Sequence, residues 1–491
     1  MSSTPDPAPP DGARSLAGRA VRGSLWAAAG AYTSFAVNFA TVAALARFVP
    51  PEGFGSYALA LGYNQILFAL GLFPFGQAVV QSPDAPGLAD TAMRMALALR
   101  GALVLLSLPA AALIAHVNGG TVALLFLGLG VNELLDGVRS SMSAVLERDL
   151  RYRALARTTM AASVASSVAA ITAAALGLGA PALLLREVLL VGVILIVYVR
   201  MARRWGLPLA RSFDRGHAAR VWTFAKGLFW TRALEQVLAR ADRVLLGNAL
   251  GLEALGYFHQ AKYLAMLPQS ALAPANMQVA IATYSKVRAD RVRLGAAFDL
   301  VQYVVVRVVP LAGLALLIFP ESILQVLYGA RWLPAAPALR VLGLFAALSP
   351  IVESYRSFAV ALERWRPLRA AVLAQAAVLV AALLLLAPRF GIVGAAWATC
   401  LAPAAGLAVL VLSVTRRFVA SRHGELGPVG AATAAALLAG LILVRLPAAG
   451  GAWALLLKLA AIAAVYALVL LLVERRSLLE RVAYLRARAA S

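Results

Sequence analysis

The feature that most constrains this chain is a series of long apolar segments between residues 24 and 473. A helix needs about 20 consecutive, mostly apolar residues to cross the hydrocarbon core of a bilayer. The sequence therefore predicts an all-α polytopic membrane protein, because helices satisfy every backbone hydrogen bond within the segment. About 14 transmembrane helices are expected, at 24–48, 55–80, 91–115, 121–146, 155–177, 181–199, 222–249, 255–281, 297–319, 338–362, 368–387, 391–414, 428–446 and 452–473.

The overall composition agrees with a membrane protein. Hydrophobic residues make up 62% of the chain and charged residues 14%, and the mean hydropathy is +0.81. These values exclude a string of soluble domains. The formal net charge of +23 would indicate nucleic-acid binding in a soluble protein, but here the basic residues cluster in loops between apolar segments. We therefore expect contact with anionic membrane lipids and no nucleic-acid partner.

The basic residues also predict the orientation of the chain. If the N-terminus is cytoplasmic, the inner segments carry 29 Lys and Arg residues and the outer segments carry 5. Lys and Arg are enriched on the cytoplasmic side of membrane proteins. An even number of crossings with cytoplasmic N- and C-termini follows.

Two pairs of matching segments indicate a duplicated unit. Gly23-Ser24-Leu25-Trp26 resembles Gly227-Leu228-Phe229-Trp230, and Leu146-Glu147-Arg148 recurs as Leu362-Glu363-Arg364. Duplicated halves facing each other across a polar seam are typical of transporters. We predict two pseudo-symmetric six-helix lobes plus two extra C-terminal helices. The segments are a disordered cytoplasmic tail (1–23), an N-lobe with helices 1–6 (24–199), a cytoplasmic linker that is amphipathic or simply basic (200–221), a C-lobe with helices 7–12 (222–414), helices 13–14 (415–473) and a basic cytoplasmic tail (474–491).

Charged residues inside the apolar segments are the candidate binding site, because charge within a membrane is costly and usually functional. Guanidinium groups stay charged and offer a planar fork to phosphate oxygens. The sequence predicts a cationic cavity for a phosphate-bearing substrate, formed by Arg100, Arg139, Arg232, Arg240, Arg243, Arg307 and Arg356. Coupling to H⁺ or Na⁺ would involve the intramembrane carboxylates Glu133, Asp136, Glu235, Asp242 and Glu353.

Structural roles compete with this interpretation. The same side chains can form ion pairs between helices, such as Arg232 with Glu235 or Arg240 with Asp242. Residues near a helix end, such as Arg243, can extend their charge to the membrane interface. The four His residues are dispersed, no Walker A loop is present, and the outer loops are short. We therefore expect a protein that is not an enzyme and that uses no cofactor or metal.

Motifs in both halves resemble polysaccharide flippases of the multidrug/oligosaccharidyl-lipid/polysaccharide (MOP) exporter superfamily. The second half contains Ala241-Asp242-Arg243-Val244-Leu245-Leu246-Gly247, then Leu255-Gly256-Tyr257, Lys262-Tyr263 and Leu267-Pro268. The first half agrees through Phe48-Val49-Pro50-Pro51-Glu52-Gly53-Phe54-Gly55-Ser56-Tyr57. Residues 328–337, which read YGARWLPAAP, resemble the colanic-acid-exporter (WzxC-like) branch of the Wzx-like flippases rather than the lipid II flippase branch.

This resemblance implies both a mechanism and a substrate. The lobes would form a V that operates by alternating access, with helices 1, 2, 7 and 8 lining the cavity and the lipid tail leaving sideways. The substrate would be an undecaprenyl-pyrophosphate-linked oligosaccharide, namely an exopolysaccharide, capsule or O-antigen repeat unit crossing the bacterial inner membrane. A polysaccharide polymerase and glycosyltransferases of the same pathway would be partners. The alternatives are a MATE-like drug or metabolite antiporter, a membrane glycosyltransferase or polymerase, and a non-transporting scaffold.

Overall fold

The computed structural model describes residues 11–71, 87–148, 152–205, 213–286, 291–413, 426–445 and 451–489. Within these ranges the chain forms helices and turns and no β-strand. The chain divides into two compact units, Met1–Val244 and Leu245–Ser491. The all-α fold class predicted from the sequence is confirmed.

In the first unit, α4 is the central helix. The helices are α1 (Asp11–Phe48), α2 (Pro51–Ala69), α3 (Leu88–Asn118), α4 (Gly120–Arg148), α5 (Tyr152–Ala175), α6 (Pro181–Trp205) and α7 (Arg215–Leu250), which extends into the second unit. Helix α4 packs against α2, α3 and α6, while α5 packs against α1 and α6. A buried cluster joins α3 to α6 and consists of Met93, Met142, Leu146, Ala162, Ile194, Tyr198 and Ala202. Helix α4 is therefore enclosed by other helices of the first unit along part of its length.

In the second unit, α11 has the corresponding central position. The helices are α8 (Leu252–Lys286), α9 (Arg291–Ile318), α10 (Pro320–Leu327), a 3₁₀ helix (Ala330–Ala335), α11 (Ala336–Ala361), α12 (Trp365–Ser413), α13 (Leu426–Val444) and α14 (Gly451–Ala489). Helix α11 packs against α8, α9 and α12, and α13 and α14 pack on each other and on α9. The buried cluster around α11 consists of Leu294, Phe298, Phe358, Ala359, Ala361, Ala371 and Leu410.

The order of packing is the same in both units. Helix α4, the fourth predicted span, packs on the second and third spans, and α11, the tenth span, packs on the eighth and ninth. Small residues allow the close approach of α9 and α11, since a Cβ on Gly313 would lie 2.7 Å from the carbonyl oxygen of Gly343. This shared arrangement is what a duplicated sequence produces, and it supports the predicted duplication.

A glycine divides α12 into the two spans predicted from the sequence. Gly391 has φ 56° and ψ −136°, a conformation that side chains with a Cβ rarely adopt. A Cβ on Gly394 would lie 2.2 Å from the carbonyl oxygen of Leu386, so the two parts of α12 meet backbone to backbone. The break falls between the predicted spans 368–387 and 391–414.

The YGARW part of the family-like motif folds into the second unit as a packing element. Trp332 is fully buried in the 3₁₀ helix, and Tyr328 is 1% exposed just before it. The Trp332 ring contacts Tyr257 at 6.0 Å and Tyr328 at 5.5 Å between ring centroids, both in edge-to-face geometry. The motif thus attaches the α10–α11 connection to the beginning of α8.

Ten helices in the described residues are long and apolar enough to cross a membrane, by length and composition alone. One of them is the divided helix α12, which corresponds to two predicted spans. The described parts of α2 and α8 do not meet this criterion, and they are two of the four helices that the family resemblance assigns to the cavity. The protein is a multi-pass membrane protein, while the count of 14 and the orientation stay predictions.

Helices extend into the segments predicted as tails and linker. Helix α1 begins at Asp11 and α14 continues to Ala489. The linker 200–221 supplies the end of α6 and the start of α7, and residues 206–212 lie outside the described residues. Asp214 caps α7, because its Oδ1 accepts a hydrogen bond from the backbone N–H of His217 over 2.7 Å. That bond holds the pKa of the Asp214 carboxyl below its usual range.

Candidate functional site

The first charged cluster joins α3 and α4 within the first unit. Arg100 Nη1 lies 3.0 Å from Glu133 Oε2 and 3.7 Å from Asp136 Oδ2. Arg139 Nη2 lies 2.6 Å from Asp136 Oδ1, and Arg139 Nε donates to the same oxygen over 2.7 Å. Two guanidinium groups and two carboxylates therefore form one network with balanced charge. All four residues were predicted from the sequence as site residues.

A glycine on α4 makes room for this network. A Cβ on Gly137 would lie 2.5 Å from Arg100 Cδ. Because that Cβ is absent, the Arg100 side chain can lie directly against α4, where its Nη1 also donates to the backbone carbonyl oxygen of Glu133. The position of Arg100 is thus set by the backbone of α4 as well as by the two carboxylates.

The second group of predicted residues lies near the end of α7, where this helix packs on α2. Arg243 Nη1 donates to Gln65 Oε1 over 3.0 Å, and a Cβ on Gly62 would lie 3.1 Å from Arg243 Cβ. Asp242 is fully buried and accepts a hydrogen bond from the backbone N–H of Arg243 over 2.9 Å. Arg240 Nε is buried without a hydrogen-bond partner among the described residues. Neither Arg240 nor Arg243 forms an ion pair with any described carboxylate.

The remaining predicted residues are in different surroundings. On α11, Arg356 Nε lies 4.0 Å from Glu353 Oε2, and both side chains are about one-third exposed, at 32% and 33%. The side chains of Arg232 and Glu235 lie outside the described residues, so their predicted ion pair is a prediction still.

Arg307 lies in a buried polar cluster between α9 and α14. Its Nε donates to Glu474 Oε2 over 2.8 Å, and its Nη2 pairs with Glu474 Oε1. The Tyr303 hydroxyl donates to Glu474 Oε2 over 3.0 Å, and the Tyr466 hydroxyl donates to the Arg307 carbonyl oxygen over 2.8 Å. Arg307 is only 9% exposed. These contacts give Arg307 a complete set of partners within the second unit.

The predicted arginines thus fall into two groups, those that form an ion pair with a carboxylate and those that do not. Arg100, Arg139, Arg307 and Arg356 each lie within 4.0 Å of a carboxylate oxygen. Among the predicted arginines with described side chains, Arg240 and Arg243 have no described carboxylate oxygen within ion-pair distance, although the buried Asp242 carboxylate lies between them in the sequence. An anion that approaches α7 would therefore meet two guanidinium groups whose donors are not engaged in a direct ion pair with a described carboxylate.

Sequence reasoning missed two charged groups. Arg186 and Glu187 on α6 lie 3.0 Å apart, and Arg186 Nη2 donates to Asn38 Oδ1 on α1 over 2.6 Å. Both charges fall inside the predicted span 181–199, so the rule used for the other candidates also applies to them. Glu474 was placed in the basic tail instead, because it follows the last predicted span.

No group of three or more His, Cys, Asp or Glu residues in the described part of the chain is arranged to hold a metal ion. The clusters found here are made of arginines, carboxylates and amides. Their chemistry suits the binding of anions, or the exchange of one anion for another, at a guanidinium group.

Comparison with known proteins supplies the family. The family described as "Polysaccharide biosynthesis protein" matches residues 44–337. One relative is the succinoglycan biosynthesis transport protein ExoT of Rhizobium meliloti (strain 1021), which is 25% identical over 326 residues. That alignment covers 65% of this chain and 64% of the relative, so it spans just under two-thirds of the relative's length.

Solved structures show the same fold at low sequence identity. The lipid II flippase MurJ in an inward closed conformation matches with a TM-score of 0.74 and 14% identity, over 92% of this chain and 100% of that chain. An inward-facing MATE family multidrug resistance transporter of the MOP superfamily matches with a TM-score of 0.59 and 14% identity, over 80% and 98%. The fold predicted through the MOP superfamily is therefore confirmed.

Proposed function

This chain belongs to the polysaccharide biosynthesis protein family, and from that premise we propose that it is a flippase for a lipid-linked glycan. The substrate is an undecaprenyl-pyrophosphate-linked oligosaccharide, moved by alternating access from the inner to the outer leaflet of the bacterial inner membrane. The name of a relative, a succinoglycan biosynthesis transport protein, supports transport of an exopolysaccharide unit. The polymerase and glycosyltransferases that act before and after this step are the expected partners.

The observation that carries the proposal is the pair of uncompensated arginines on α7. Arg243 is oriented by the neutral amide of Gln65, and Arg240 has a buried Nε without a described partner. Carrying a diphosphate across a membrane is costly unless its charge is neutralised. Two adjacent guanidinium groups with open donors reduce that cost, because each can form charge-assisted hydrogen bonds to phosphate oxygens.

The α3–α4 network supports a coupling role for carboxylates. Asp136 is shared between Arg100 and Arg139, so protonation of Asp136 would leave both guanidinium groups with less compensation. A diphosphate could then take the place of the carboxylate. In this scheme, H⁺ or Na⁺ competes with the arginines for Glu133 and Asp136, and that competition links ion binding to substrate binding. The predicted roles of Asp242, Glu235 and Glu353 are proposals of the same kind.

A MATE-like antiporter is the second candidate, because the MATE fold also matches. It is less favoured, since the family match points to polysaccharide biosynthesis and the uncompensated charges on α7 are positive. A drug antiporter for cations would be better served by uncompensated carboxylates. We also propose that the protein is not an enzyme, so its lipid-linked substrate should leave the membrane step with unchanged mass.

The decisive experiment is lipid analysis of cells that lack this protein. We expect the complete undecaprenyl-pyrophosphate oligosaccharide to accumulate on the inner leaflet, where an impermeant glycan-modifying reagent does not reach it in intact spheroplasts. Mass spectrometry then identifies the glycan. A truncated glycan would indicate a glycosyltransferase, and the absence of any accumulation together with altered drug resistance would indicate an antiporter.

Complementation of the same cells tests the proposed site. Arg240→Ala should abolish export while the amount of protein stays near normal. Arg340→Ala is the matched control, because Arg340 is about half exposed and pairs with Glu321 over 2.6 Å in the second unit. Equal export by the Arg240 variant and the control would remove Arg240 from the binding site.

A further inference from the structure

Helices α1, α2, α6 and α7 carry polar side chains that contact one another in the first unit, and Arg243 is the one arginine among them that was predicted from the sequence. Helix α2 begins beside α6, since a Cβ on Gly53 would lie 3.5 Å from Ala180 Cβ. Farther along, α2 touches α7 through Gly62 and Arg243. Helix α1 joins the group through the hydrogen bond between Asn38 and Arg186. Helix α2 therefore contacts α6 near its start and α7 farther along, and α1 is linked to α6.

Arg186 is the central charge of this region. Its side chain is 12% exposed, with Nη1 on Glu187 Oε1 at 3.0 Å and Nη2 on Asn38 Oδ1 at 2.6 Å. Its Nε is buried and has no hydrogen-bond partner among the described residues. The guanidinium group is thus held by one carboxylate and one amide, while its Nε–H donor is buried without a described acceptor. A buried donor without an acceptor is unfavourable unless a ligand or water supplies one.

Tyr57 is a further polar side chain on α2. It is one helical turn after Gly53, on the side of α2 that meets α6, and it is within electrostatic range of Arg186, Glu187 and Arg243. A tyrosine hydroxyl can donate a hydrogen bond to an anion. Arg186 and Arg243 thus carry donors on the two helices, α6 and α7, that contact α2, and Tyr57 carries a donor on α2 itself.

This region is separate from the α3–α4 network along the helix axes. At a rise of 1.5 Å per residue, Tyr57 lies about 9 Å from the α2 start and Asn38 about 15 Å from the neighbouring α1 end. The α3–α4 network lies farther from that end. On α4, Gly130 contacts Asn64, which lies well beyond Tyr57 along α2, and Asp136 is six residues farther along α4 than Gly130. The first unit therefore contains two charged groups of residues at different depths, and in the shallower one the sequence predicted Arg243 but not Arg186 or Tyr57.

We propose that Arg186, Tyr57 and Arg243 form a second binding station for the diphosphate of the substrate, with Glu187 occupying the Arg186 guanidinium when the station is empty. The proposal rests on the proposed flippase function and adds residues to it. An arriving diphosphate displaces Glu187 from Arg186 Nη1 and takes up the open Nε donor, while Asn38 and Gln65 keep the two guanidinium groups in position. The substrate then has a station near the α2 start as well as one at the α3–α4 network.

The station makes an unusual prediction, because variants of two adjacent residues should act in opposite directions. Removing Arg186 removes a charged donor, whereas removing the charge of Glu187 removes the competitor of the ligand. We expect Arg186→Gln to weaken diphosphate binding by at least about tenfold, the factor for one hydrogen bond to a charged group. Glu187→Gln should strengthen it, and Tyr57→Phe should weaken it less than Arg186→Gln does. A purely structural ion pair would give the same direction for Arg186→Gln and Glu187→Gln.

The experiment measures binding to the full-length protein in nanodiscs by calorimetry. The probes are inorganic pyrophosphate, farnesyl diphosphate and phosphatidylglycerol, which separate free diphosphate, lipid-linked diphosphate and an ordinary lipid phosphate. Arg340→Gln is the control variant. Tighter binding of farnesyl diphosphate by the Glu187 variant together with weaker binding by the Arg186 variant supports the station.

Three outcomes would overturn it in distinguishable ways. Wild-type binding that is unchanged in the Arg186 and Glu187 variants removes the station and leaves the flippase proposal intact. Phosphatidylglycerol binding as tight as that of farnesyl diphosphate shows a general lipid-phosphate site instead. Failure of the wild-type protein to bind farnesyl diphosphate would remove the station, while lipid analysis of cells that lack the protein would still decide the flippase function. If Arg186→Gln does not fold, the Glu187 and Tyr57 variants still decide the matter, because both keep the size of the side chain nearly unchanged.

Discussion

A charged side chain within a membrane protein is stabilised by the partners that it finds, and Arg100 shows how closely these partners can be shared. Its guanidinium group lies near two carboxylates and one backbone carbonyl of α4. Arg139 supplies the second positive charge through Asp136. With two charges of each sign, the network costs less than any of its members would alone.

Because the charges of the network are balanced, we predict that the effects of its variants on the free energy of unfolding are not additive. Arg100→Gln leaves two carboxylates to share Arg139, and we expect a loss of about 1–3 kcal/mol in the free energy of unfolding, between the values for exposed and buried pairs. Glu133→Gln should cost a similar amount. The double variant restores the balance and should lose less than the sum of the two. Thermal unfolding in detergent measures all three proteins, and a simple additive result would contradict the shared network.

At this scale the sequence identified most of the charged residues but not their partners. The spacing of Glu133, Asp136 and Arg139 by three residues places them on one face of α4, and that spacing can be read directly. The contact with Arg100 on another helix depends on packing, and in particular on Gly137, whose missing Cβ leaves room for the side chain. Arg186 lies inside the predicted span 181–199 and could have been identified by the same rule, whereas its partner Asn38, 148 residues away in the chain, could not.

Polar side-chain pairs also join whole helices to each other, and α14 is the clearest case. This helix has no counterpart in the duplicated units, yet it packs on α9, where Arg307 and Glu474 form a buried pair. Side chains of Tyr303 and Tyr466 complete the hydrogen bonds of that pair. The polar cluster thus specifies where an added helix binds on the surface of the second unit.

Removal of one charge from this pair should be more harmful than removal of both. Glu474→Leu leaves a buried guanidinium group without its carboxylate, and we expect a loss of about 3–5 kcal/mol in the free energy of unfolding. Arg307→Met should cost a similar amount, whereas the double variant should be close to the wild type. Thermal unfolding provides the stability measurement, with Arg340→Gln as an exposed control.

Export by the same double variant tests the predicted substrate role of Arg307. Normal export would show that Arg307 holds α14 in place and does not contact the substrate. Loss of export by a stable double variant would instead restore Arg307 to the binding site. The sequence could not separate these roles, because Glu474 lies just beyond the last apolar span, where a charged residue is ordinarily assigned to a solvated tail.

At the scale of the whole molecule, hydropathy predicts most crossings and packing explains the exceptions. The helices α2 and α8 are too polar in their described parts to be recognised as spans by composition, although the sequence pattern assigns a crossing to each. A helix that contacts protein and substrate more than lipid can be polar, so these exceptions agree with the predicted cavity helices. Helix α12 is the opposite exception, because one continuous apolar segment of 49 residues contains two predicted crossings.

The topology of the whole chain can be tested with three cysteines in a Cys400→Ser background. Gly120→Cys, Ala219→Cys and Gly427→Cys place thiols at exposed positions, and a Cβ at either glycine has no neighbour within 4 Å. We expect an impermeant thiol reagent to label Gly120→Cys in intact spheroplasts, and the other two only after permeabilisation. The distribution of Lys and Arg gives this orientation. Ala219 and Gly427 are separated by predicted spans 7–12, so labelling of Gly427→Cys from outside would mean that Gly391 does not divide α12 into two crossings.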